Sequence, residues 1–393
     1  MIIKKIFLSL ICIVLLVGFL ELRKRSQSEQ NGYLTFDRKY DHVPLKNYEG
    51  INQSEEFKAH IRINSHGFRG AEFPLQKPAT SKRIFVLGDS FGMGAELEEE
   101  FTIARHIEDD LKREISSVEV INAGVSSYSP IIHYLRLRDE YLKFKPDLVV
   151  LLFDFCDLYD DWRYEKNSVV DGDGKLVRID PLYMQGRLSI NHWLMHHLKS
   201  YAIMHHRWST TFSKLKILGV KEYFKAKLKG RKNMAYKSKI SMFEKVYQSQ
   251  NQDPIDVDRF FMIRNEASYD QILAKWKHTQ KYLKEINDLL VEKNIPWVLV
   301  SYPYGHQVAE NQWVNGRLFW ALKSNAVYDT PIAYKLLEDF STEHNVPYIN
   351  MLDVFRMNKN KKLFFDSDGH FTGEATKLIA SATLSKIKKS LKK

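Results

Sequence analysis

The sequence has little cysteine: two residues in 393, Cys12 and Cys156. Two thiols exclude a disulfide scaffold and a zinc site built from several thiolates. Apolar residues make up 44% of the chain and aromatic residues 13%, which argues against intrinsic disorder. At roughly 100 to 200 residues per domain, the chain has room for one large domain with insertions or for two smaller domains.

Most of the positive charge is concentrated in one segment. The chain has a formal net charge of +11 at pH 7, and residues 186–247 hold fourteen lysines and arginines against two acids. The rest of the chain is therefore close to neutral. The same segment holds two histidine pairs, His196-His197 and His205-His206. No H-x-x-x-H with an accompanying carboxylate is present, so we expect no metal site there.

The amino terminus is apolar over residues 6–20 and has basic flanks. A helix of this length is about 23 Å long, and it can cross a hydrocarbon layer of about 30 Å when its basic flanks extend towards the interfaces. A cleaved signal peptide needs a small-x-small cleavage site, and none follows Leu20. We therefore predict an uncleaved membrane anchor over residues 1–25. Basic residues lie on both sides, so the positive-inside rule leaves its orientation open.

Three interpretations of the basic segment stay open. It can be a solvated helix face, an insert that packs over the site, or an amphipathic segment that lies on an anionic bilayer. A tethered chain favours the last, since the segment is already at the surface and its tryptophans suit the interface. A nucleic-acid partner fits poorly with an anchored, extracytoplasmic protein, and we expect none.

From residue 83 onwards, strand patterns alternate with helix patterns, which is typical of an α/β domain with a mainly parallel sheet. The uninterrupted apolar run at 147–153 predicts a central strand buried on both faces. The predicted strands are 83–87, 118–121, 147–153, 296–301 and 347–350. Asp-Gly within 169–177 predicts a hairpin turn. We predict four parts: an anchor (1–25), a juxtamembrane linker (26–60), an α/β body (61–165 and 262–393) and a basic insert (166–261).

Ligands of open α/β sheets bind beyond the carboxyl ends of the strands. Gly88-Asp89-Ser90-Phe91-Gly92 follows the first strand of the alternation and matches neither the G-x-G-x-x-G nor the P-loop pattern. Ser90 can be a nucleophile or an ordinary helix cap. A serine nucleophile needs a base, and the base needs an acceptor. Asp368 and His370, two residues apart near the carboxyl terminus, can supply both.

These blocks resemble the SGNH/GDSL hydrolase superfamily in their order along the chain. GDSFG around Ser90 is similar to the nucleophile block, NAG at Gly124 to the glycine block, and DGH to the acid-histidine block. The spacing of Asp368 and His370 is similar to that in the branch of membrane-anchored alginate O-acetyltransferase-like proteins. The segment 63–70 resembles one that precedes the nucleophile strand in bacterial members.

This resemblance implies a flavodoxin-like three-layer fold with a parallel central sheet. It implies Ser90 as nucleophile, His370 as base and Asp368 as its partner, and the backbone N–H groups of Ser90 and Gly124 as oxyanion donors. One block departs from the family, because Cys156 stands where an oxyanion asparagine is expected. A thiol is a weak donor, and losing one donor costs about 10² to 10³ in rate. Another donor can substitute, two donors can suffice, or the chain no longer catalyses.

The sequence thus predicts a membrane-anchored serine esterase or O-acyltransferase with its catalytic domain in the periplasm. Its substrate is expected to be an ester, acetyl or acyl, of an extracytoplasmic glycan or lipid, and the chemistry requires no cofactor or metal. The alternative is a catalytically silent binding or assembly protein of the same fold, active in cell-envelope polysaccharide metabolism. Cys156 favours this alternative, and the intact serine, aspartate and histidine oppose it.

Overall fold

A computed structural model describes residues 32–180, 269–317, 322 and 326–392 of the chain. The predicted anchor over residues 1–25 lies outside the described residues, and so does the basic segment 186–247. Within the described ranges, no helix is both long and apolar enough to cross a membrane. The described residues from Tyr33 onwards belong to one compact unit of the chain.

Eleven strands and nine α-helices lie within these ranges. The strands are β1 (Leu34–Asp37), β2 (Asp41–Pro44), β3 (Tyr48–Gln53), β4 (Lys58–Ile63), β5 (Lys82–Gly88), β6 (Val118–Gly124), β7 (Leu148–Phe153), β8 (Ser168–Val170), β9 (Leu176–Ile179), β10 (Trp297–Ser301) and β11 (Tyr348–Asn350). The helices are α1 (Ser90–Met93), α2 (Ile103–Lys112), α3 (Pro130–Asp139), α4 (Asp157–Glu165), α5 (Tyr269–Glu292), α6 (Gly305–Val308), α7 (Pro331–Glu343), α8 (Leu352–Met357) and α9 (Gly373–Leu391).

The central sheet has five strands in the order β11-β10-β7-β5-β6, and every neighbouring pair is parallel. When these five strands are numbered 1 to 5 along the chain and the sheet is read from its β6 edge, their order is 2-1-3-4-5. This is the flavodoxin-like arrangement. The predicted parallel sheet is confirmed. All six residues of β7 are buried, as its apolar run requires of a strand that is covered on both faces.

Helices pack in two groups around this sheet. Helix α9 contacts α2, β7 and β10, whereas α5 contacts α3, α4 and α7. Since β7 is buried on both faces, the two groups supply the two outer layers. Their apolar faces follow from helical spacing: Ile103, Ile107 and Leu111 on α2 recur at intervals of four and are buried.

The predicted linker over residues 26–60 is wrong from residue 34 onwards, where two antiparallel hairpins form, β1–β2 and β3–β4. Alternate residues of β4 are buried, namely Ala59, Ile61 and Ile63. The polar residues that suggested a linker are the outward half of this alternation. The turn of the second hairpin approaches the carboxyl-terminal part of the chain, where the rings of Phe57 and Phe365 lie 5.3 Å apart.

The predicted hairpin over residues 169–177 is confirmed. Strands β8 and β9 pair antiparallel, and the Asp171 side chain accepts backbone hydrogen bonds across the turn. This hairpin packs on the α/β body rather than standing apart with the insert. Tyr40 forms a bridge with Ile179, and Arg138 of α3 donates to the Leu176 carbonyl at 2.6 Å. The body therefore continues past residue 165, the boundary that we predicted for it.

Candidate active site

The candidate site lies at the carboxyl ends of β5 and β7. The connections from these neighbouring strands diverge, since β5 leads to β6 on one side and β7 leads to β10 on the other. A crevice opens at such a switch point. It is a cleft of about 140 Å³. Six of the residues that line it are Ser90, Ser127, Cys156, Tyr304, Trp313 and His370.

The structure joins the three residues that the sequence predicted as a catalytic set. The distance from Ser90 Oγ to His370 Nε2 is 2.8 Å, and His370 Nδ1 lies 2.5 Å from Asp368 Oδ1. The Asp368 carboxylate therefore fixes the proton on Nδ1, which leaves Nε2 to accept the serine hydroxyl proton. Ser90 and His370 are 280 positions apart in sequence, and the loop before α9 brings them together.

The turn after β5 explains why the Ser90 hydroxyl is available. Asp89 caps helix α1, because its Oδ1 accepts the backbone N–H of Phe91 at 2.9 Å. The capping role therefore belongs to Asp89, and Ser90 occupies the first helical position with its side chain directed to His370. The phenyl ring of Phe91 packs against the His370 ring at 4.6 Å between centroids, which restricts the imidazole further.

The electrostatics of the site favour a protonated histidine. Burial lowers the pKa of His370, but the charge of Glu96 and the hydrogen bond and charge of Asp368 outweigh burial and raise that pKa to about 9. Burial raises the pKa of Asp368, yet the hydrogen bond and charge of His370 bring it below its usual value. The pair thus carries opposite charges near neutral pH, and His370 becomes a free base only as the pH rises towards 9.

A group of buried acids lies beneath the nucleophile. Burial raises the pKa of Asp89 well above its ordinary range, and the neighbouring Asp154 raises it further. Two tyrosines supply hydrogen bonds: Tyr302 donates to Asp89 at 2.8 Å, and Tyr304 donates to Asp154 at 2.6 Å. Both tyrosines lie at or just after the end of β10, so the carboxyl-end rule could have found them. No motif in the sequence indicates a role for either tyrosine.

Gly124 does not fit the donor role that the resemblance implied. Its N–H donates to Asn122 Oδ1 at 3.0 Å, and it is not among the residues that line the cleft. The structure instead shows why glycine is needed: a Cβ at this position would lie 2.4 Å from Met93 N. Strand β6 and helix α1 pack too closely for a side chain.

Ser127 adds a backbone N–H to the residues of the cleft, and no motif in the sequence indicates it. It lines the cleft with a φ of 64°, and its N–H has no hydrogen-bond partner among the described residues. The Ser90 N–H, at the start of α1, lies among the helix groups that have no intrahelical acceptor. These two amides can serve as oxyanion donors. A non-glycine residue with positive φ gives no sequence signal here, so only the backbone reveals Ser127.

Cys156 lies in the cleft, as its alignment with the oxyanion asparagine predicted. It is buried, at 3% exposure, and its sulfur lies 2.9 Å from the Tyr304 hydroxyl oxygen. Its backbone N–H donates to Asp154 Oδ1 at 2.8 Å. Cys156 is thus held by polar partners through both its sulfur and its backbone N–H.

One cluster in the described part of the chain has the spacing of metal ligands: Glu96, Asp368 and His370. The 2.5 Å contact of His370 with Asp368 already uses Nδ1, the ring nitrogen that would face a metal. His370 Nδ1 is therefore already paired with a carboxylate of this cluster. Glu96 had carried no sequence prediction, because it lies in a loop of ordinary acidic composition.

Several solved structures are similar to this chain. An acetyl xylan esterase, AlAXEase, is 13% identical over 78% of this chain and 99% of its own, with a TM-score of 0.38. A lipolytic protein of the G-D-S-L family from Desulfitobacterium hafniense is 12% identical over 78% and 99%, with a TM-score of 0.36. Axe2, an acetylxylan esterase from Geobacillus stearothermophilus, is 12% identical over 78% and 94%, with a TM-score of 0.35. No family model and no curated protein matches the chain.

Alignments at these TM-scores carry no weight for activity or substrate, so the residues of the chain itself decide what it resembles. The nucleophile block follows the first strand of the parallel sheet. The acid-histidine block directly precedes the last helix, and Ser90, His370 and Asp368 meet in one hydrogen-bonded chain. In block order, strand order and site layout, this chain resembles the SGNH/GDSL hydrolase superfamily.

Proposed function

We propose that this chain belongs to the SGNH/GDSL superfamily and is a serine esterase that forms an acyl-enzyme on Ser90. One observation carries the proposal: the continuous contact from Ser90 Oγ through His370 to Asp368, with distances of 2.8 Å and 2.5 Å. A hydroxyl nucleophile needs a base within hydrogen-bond reach, and that base needs a fixed tautomer. Both requirements are met by residues of this chain alone.

In the first half of the reaction, Ser90 Oγ attacks the ester carbonyl while His370 Nε2 takes the hydroxyl proton. The carbonyl oxygen gains negative charge, which backbone N–H groups at Ser90 and Ser127 can stabilise. Collapse of this intermediate breaks the bond to the alkoxy oxygen, and His370 returns the proton to the departing alcohol. Asp368 stays ionised throughout and stabilises the imidazolium.

The second half repeats these steps with a new acceptor. In hydrolysis, water gives a proton to His370 and attacks the acyl carbonyl, which releases the acid and restores Ser90. In acyl transfer, a hydroxyl of a second substrate takes the place of water. Both reactions share the acyl-enzyme, so the acceptor alone separates an esterase from an O-acyltransferase. We propose hydrolysis as the basal reaction and transfer where a glycan hydroxyl is bound.

The size of the cleft favours a short acyl group such as acetyl. Its volume of about 140 Å³ is small beside the roughly 300 to 1,000 Å³ of pockets that hold drug-sized ligands. Phe91, Tyr304 and Trp313 contribute apolar walls, and all three are at most 5% exposed. The polar moiety of the ester, a glycan or a lipid headgroup, would then extend outwards from the cleft mouth.

We propose that the protein acts at a membrane, with its catalytic domain in the periplasm. The support is in the sequence: an apolar segment at residues 6–20 with basic flanks, and a basic segment at 186–247 that carries tryptophans. The near-neutral remainder of the chain leaves this segment as its main positive charge, and such a segment suits an anionic bilayer.

The competing proposal is a silent binding protein that keeps the fold. Cys156 in the cleft favours it, because a thiol donates weakly where the family uses an amide. Under this proposal, the cleft would still bind an acylated ligand, but Ser90 would not react.

Labelling of the full-length protein with a serine-reactive fluorophosphonate separates the two. We expect one adduct on the wild type, located at Ser90 by mass spectrometry, and none on Ser90→Ala. No adduct on the wild type, or an equal adduct on Ser90→Ala, would exclude the esterase. Ser65→Ala is the matched control, since Ser65 is a serine outside the cleft, hydrogen-bonded to Glu72.

A further inference from the structure

A second carboxylate faces the histidine of the site. Glu96 Oε1 lies 3.6 Å from His370 Nδ1, which is too long for a hydrogen bond and short enough for an ion pair. The glutamate is buried, at 8% exposure, and its Oε2 has no hydrogen-bond partner among the described residues. A carboxylate in such a place is costly unless a positive charge lies beside it.

The loop that carries Glu96 is held in place from two sides. The buried Arg69 guanidinium donates to the carbonyls of Met93, Gly94 and Leu97. The Asn52 side chain donates to the carbonyl of Ala95 at 2.8 Å. Hydrogen bonds therefore fix the backbone on both sides of Glu96, and its carboxylate is pre-positioned before any substrate binds.

Arg69 also explains a sequence feature that had no assigned role. It is the arginine of the segment 63–70, which precedes the nucleophile strand and contains Asn64 and Gly67. Arg69 bridges to Asn122 of β6 and to Ile63 of β4. Its guanidinium reaches the Glu96 loop from there, so this segment supports the site without lining the cleft.

We propose that Glu96 is a positioning residue that acts through His370: as a second carboxylate at Nδ1, it holds the imidazole towards Ser90 and stabilises the imidazolium formed during acyl transfer. This inference rests on the proposed function and deepens it. The direct hydrogen bond belongs to Asp368, and Glu96 contributes charge. The reaction centre would thus contain two carboxylates, one histidine and one serine.

The charged groups around His370 come from three elements. Asp368 lies on its own loop, Glu96 follows helix α1, and Asp89 lies at the end of β5. All three favour the protonated imidazole. Burial raises the pKa of Glu96 above its ordinary value, and the positive charge of His370 opposes this rise. Imidazolium and carboxylate therefore stabilise each other.

The test compares Glu96→Gln with Glu100→Gln, which makes the same chemical change at an exposed position a few residues further on. The titration of His370 is followed by NMR of the full-length protein with 13C-labelled histidine, and the signal is assigned through His370→Gln. We expect the midpoint of the His370 titration to fall by about 1 to 3 pH units in Glu96→Gln, because removing an opposite charge within about 4 to 6 Å shifts a pKa by this amount. Glu100→Gln should leave it unchanged, and Glu96→Asp should retain part of the effect.

A second readout tests the role in the reaction: the pH dependence of the rate of fluorophosphonate labelling at Ser90. In Glu96→Gln, the acid limb should move to lower pH and the high-pH plateau should fall by about 10-fold, since the imidazolium has lost a partner. A purely structural defect would lower the labelling rate by the same factor at every pH and would leave the acid limb where it is in the wild type.

An unchanged His370 midpoint in folded Glu96→Gln would overturn the inference. Because the NMR titration does not depend on catalysis, it remains decisive even when the wild type fails to react with fluorophosphonate. A wild type that does not react with fluorophosphonate would exclude the proposed esterase. The NMR titration would still measure the charge pairing of Glu96 and His370.

Discussion

At the scale of single residues, the site differs from its sequence pattern mainly at the oxyanion position. Cys156 occupies the place expected for an amide side chain, and its sulfur lies 2.9 Å from the Tyr304 hydroxyl oxygen. Backbone N–H groups need no particular side chain, so Ser90 and Ser127 can stabilise an oxyanion whatever residue stands at 156. The thiol is then a part of the cleft wall and not a required donor.

Cys156→Ala tests this assignment. We expect the rate of acyl-enzyme formation to stay within about 3-fold of the wild type, because a thiol donates only weakly. The measurement is the second-order rate of fluorophosphonate labelling, with the adduct located by mass spectrometry. A loss of about 10² or more would make the thiol an essential donor. Disappearance of the Ser90 adduct in this variant would contradict the assignment equally.

The residues that could be predicted are those whose chemistry is specific. Ser90, Asp368 and His370 stand in short blocks whose residue types fit nucleophile, acid and base, and the structure brings them together. The Gly124 N–H is paired with Asn122 in the structure, and a glycine needed for close packing looks the same in sequence as one that donates an N–H to an oxyanion. Glu96 and Ser127 were missed, since a buried charge and a positive φ depend on tertiary contacts.

At the scale of elements, strands and helices with a strong pattern could be predicted, and polar hairpins could not. The apolar run at 147–153 became the central strand β7, and helices alternate with the strands of the parallel sheet as the pattern from residue 83 predicts. The composition of the hairpins β1–β2 and β3–β4 predicts a linker, because strands with one exposed face contain many polar residues. In the sequence, the buried residues of these strands are visible only as an alternation of apolar and polar residues over about six positions.

The β3–β4 hairpin supports the site through its turn. Both carboxylate oxygens of Glu56 accept the N–H of Ser367 at 3.0 Å, and one accepts the N–H of Asp368 at 2.9 Å. The Asp368 loop is therefore fixed from outside by an element that contributes nothing to the cleft.

Glu56→Ala should loosen this loop. We expect kcat for a short-chain ester to fall by about 10-fold with little change in KM, because Asp368 then orients His370 less well. The melting temperature should change by only a few degrees, since Glu56 is not in the core. Glu55→Ala, a truncation of the exposed neighbouring glutamate, should retain wild-type kcat. Equal kinetics of the two variants would show that the hairpin does not support the site.

At the scale of the whole molecule, stability depends on acids that are buried between helices. Asp161 of α4 is fully buried and accepts the backbone N–H of Ile131 in α3 at 2.9 Å. Burial raises the pKa of its carboxyl to about 7. Glu165, at the end of the same helix, differs: burial raises its pKa, but hydrogen bonds from His278, Lys281 and Tyr282 outweigh this and lower it to about 2.

The two acids act on stability in different pH windows. Glu165 is ionised in the folded chain, so it stabilises the fold above its unfolded pKa of about 4.3, and this contribution is lost as the pH falls towards 2. Asp161 is protonated in the folded chain below pH 7, whereas its unfolded pKa is about 3.9. The folded state then binds more protons than the unfolded state, and stability falls as the pH rises from about 4 to 7.

Asp161→Asn should remove this fall. The amide stays neutral at every pH and keeps a carbonyl oxygen for the Ile131 N–H, so the gain over the wild type should grow by a few kcal/mol between pH 4.5 and pH 8, on the order of 1.4 kcal/mol per pKa unit. The free energy of unfolding in urea, measured at both pH values, gives this difference, and contributions from other titrating groups cancel between the two proteins. Asp353→Asn changes an exposed helical aspartate in the same way and should show no pH-dependent gain. If the gain for Asp161→Asn is equal at pH 4.5 and pH 8, Asp161 is ionised in the folded state, and its burial does not govern the stability of the molecule near neutral pH.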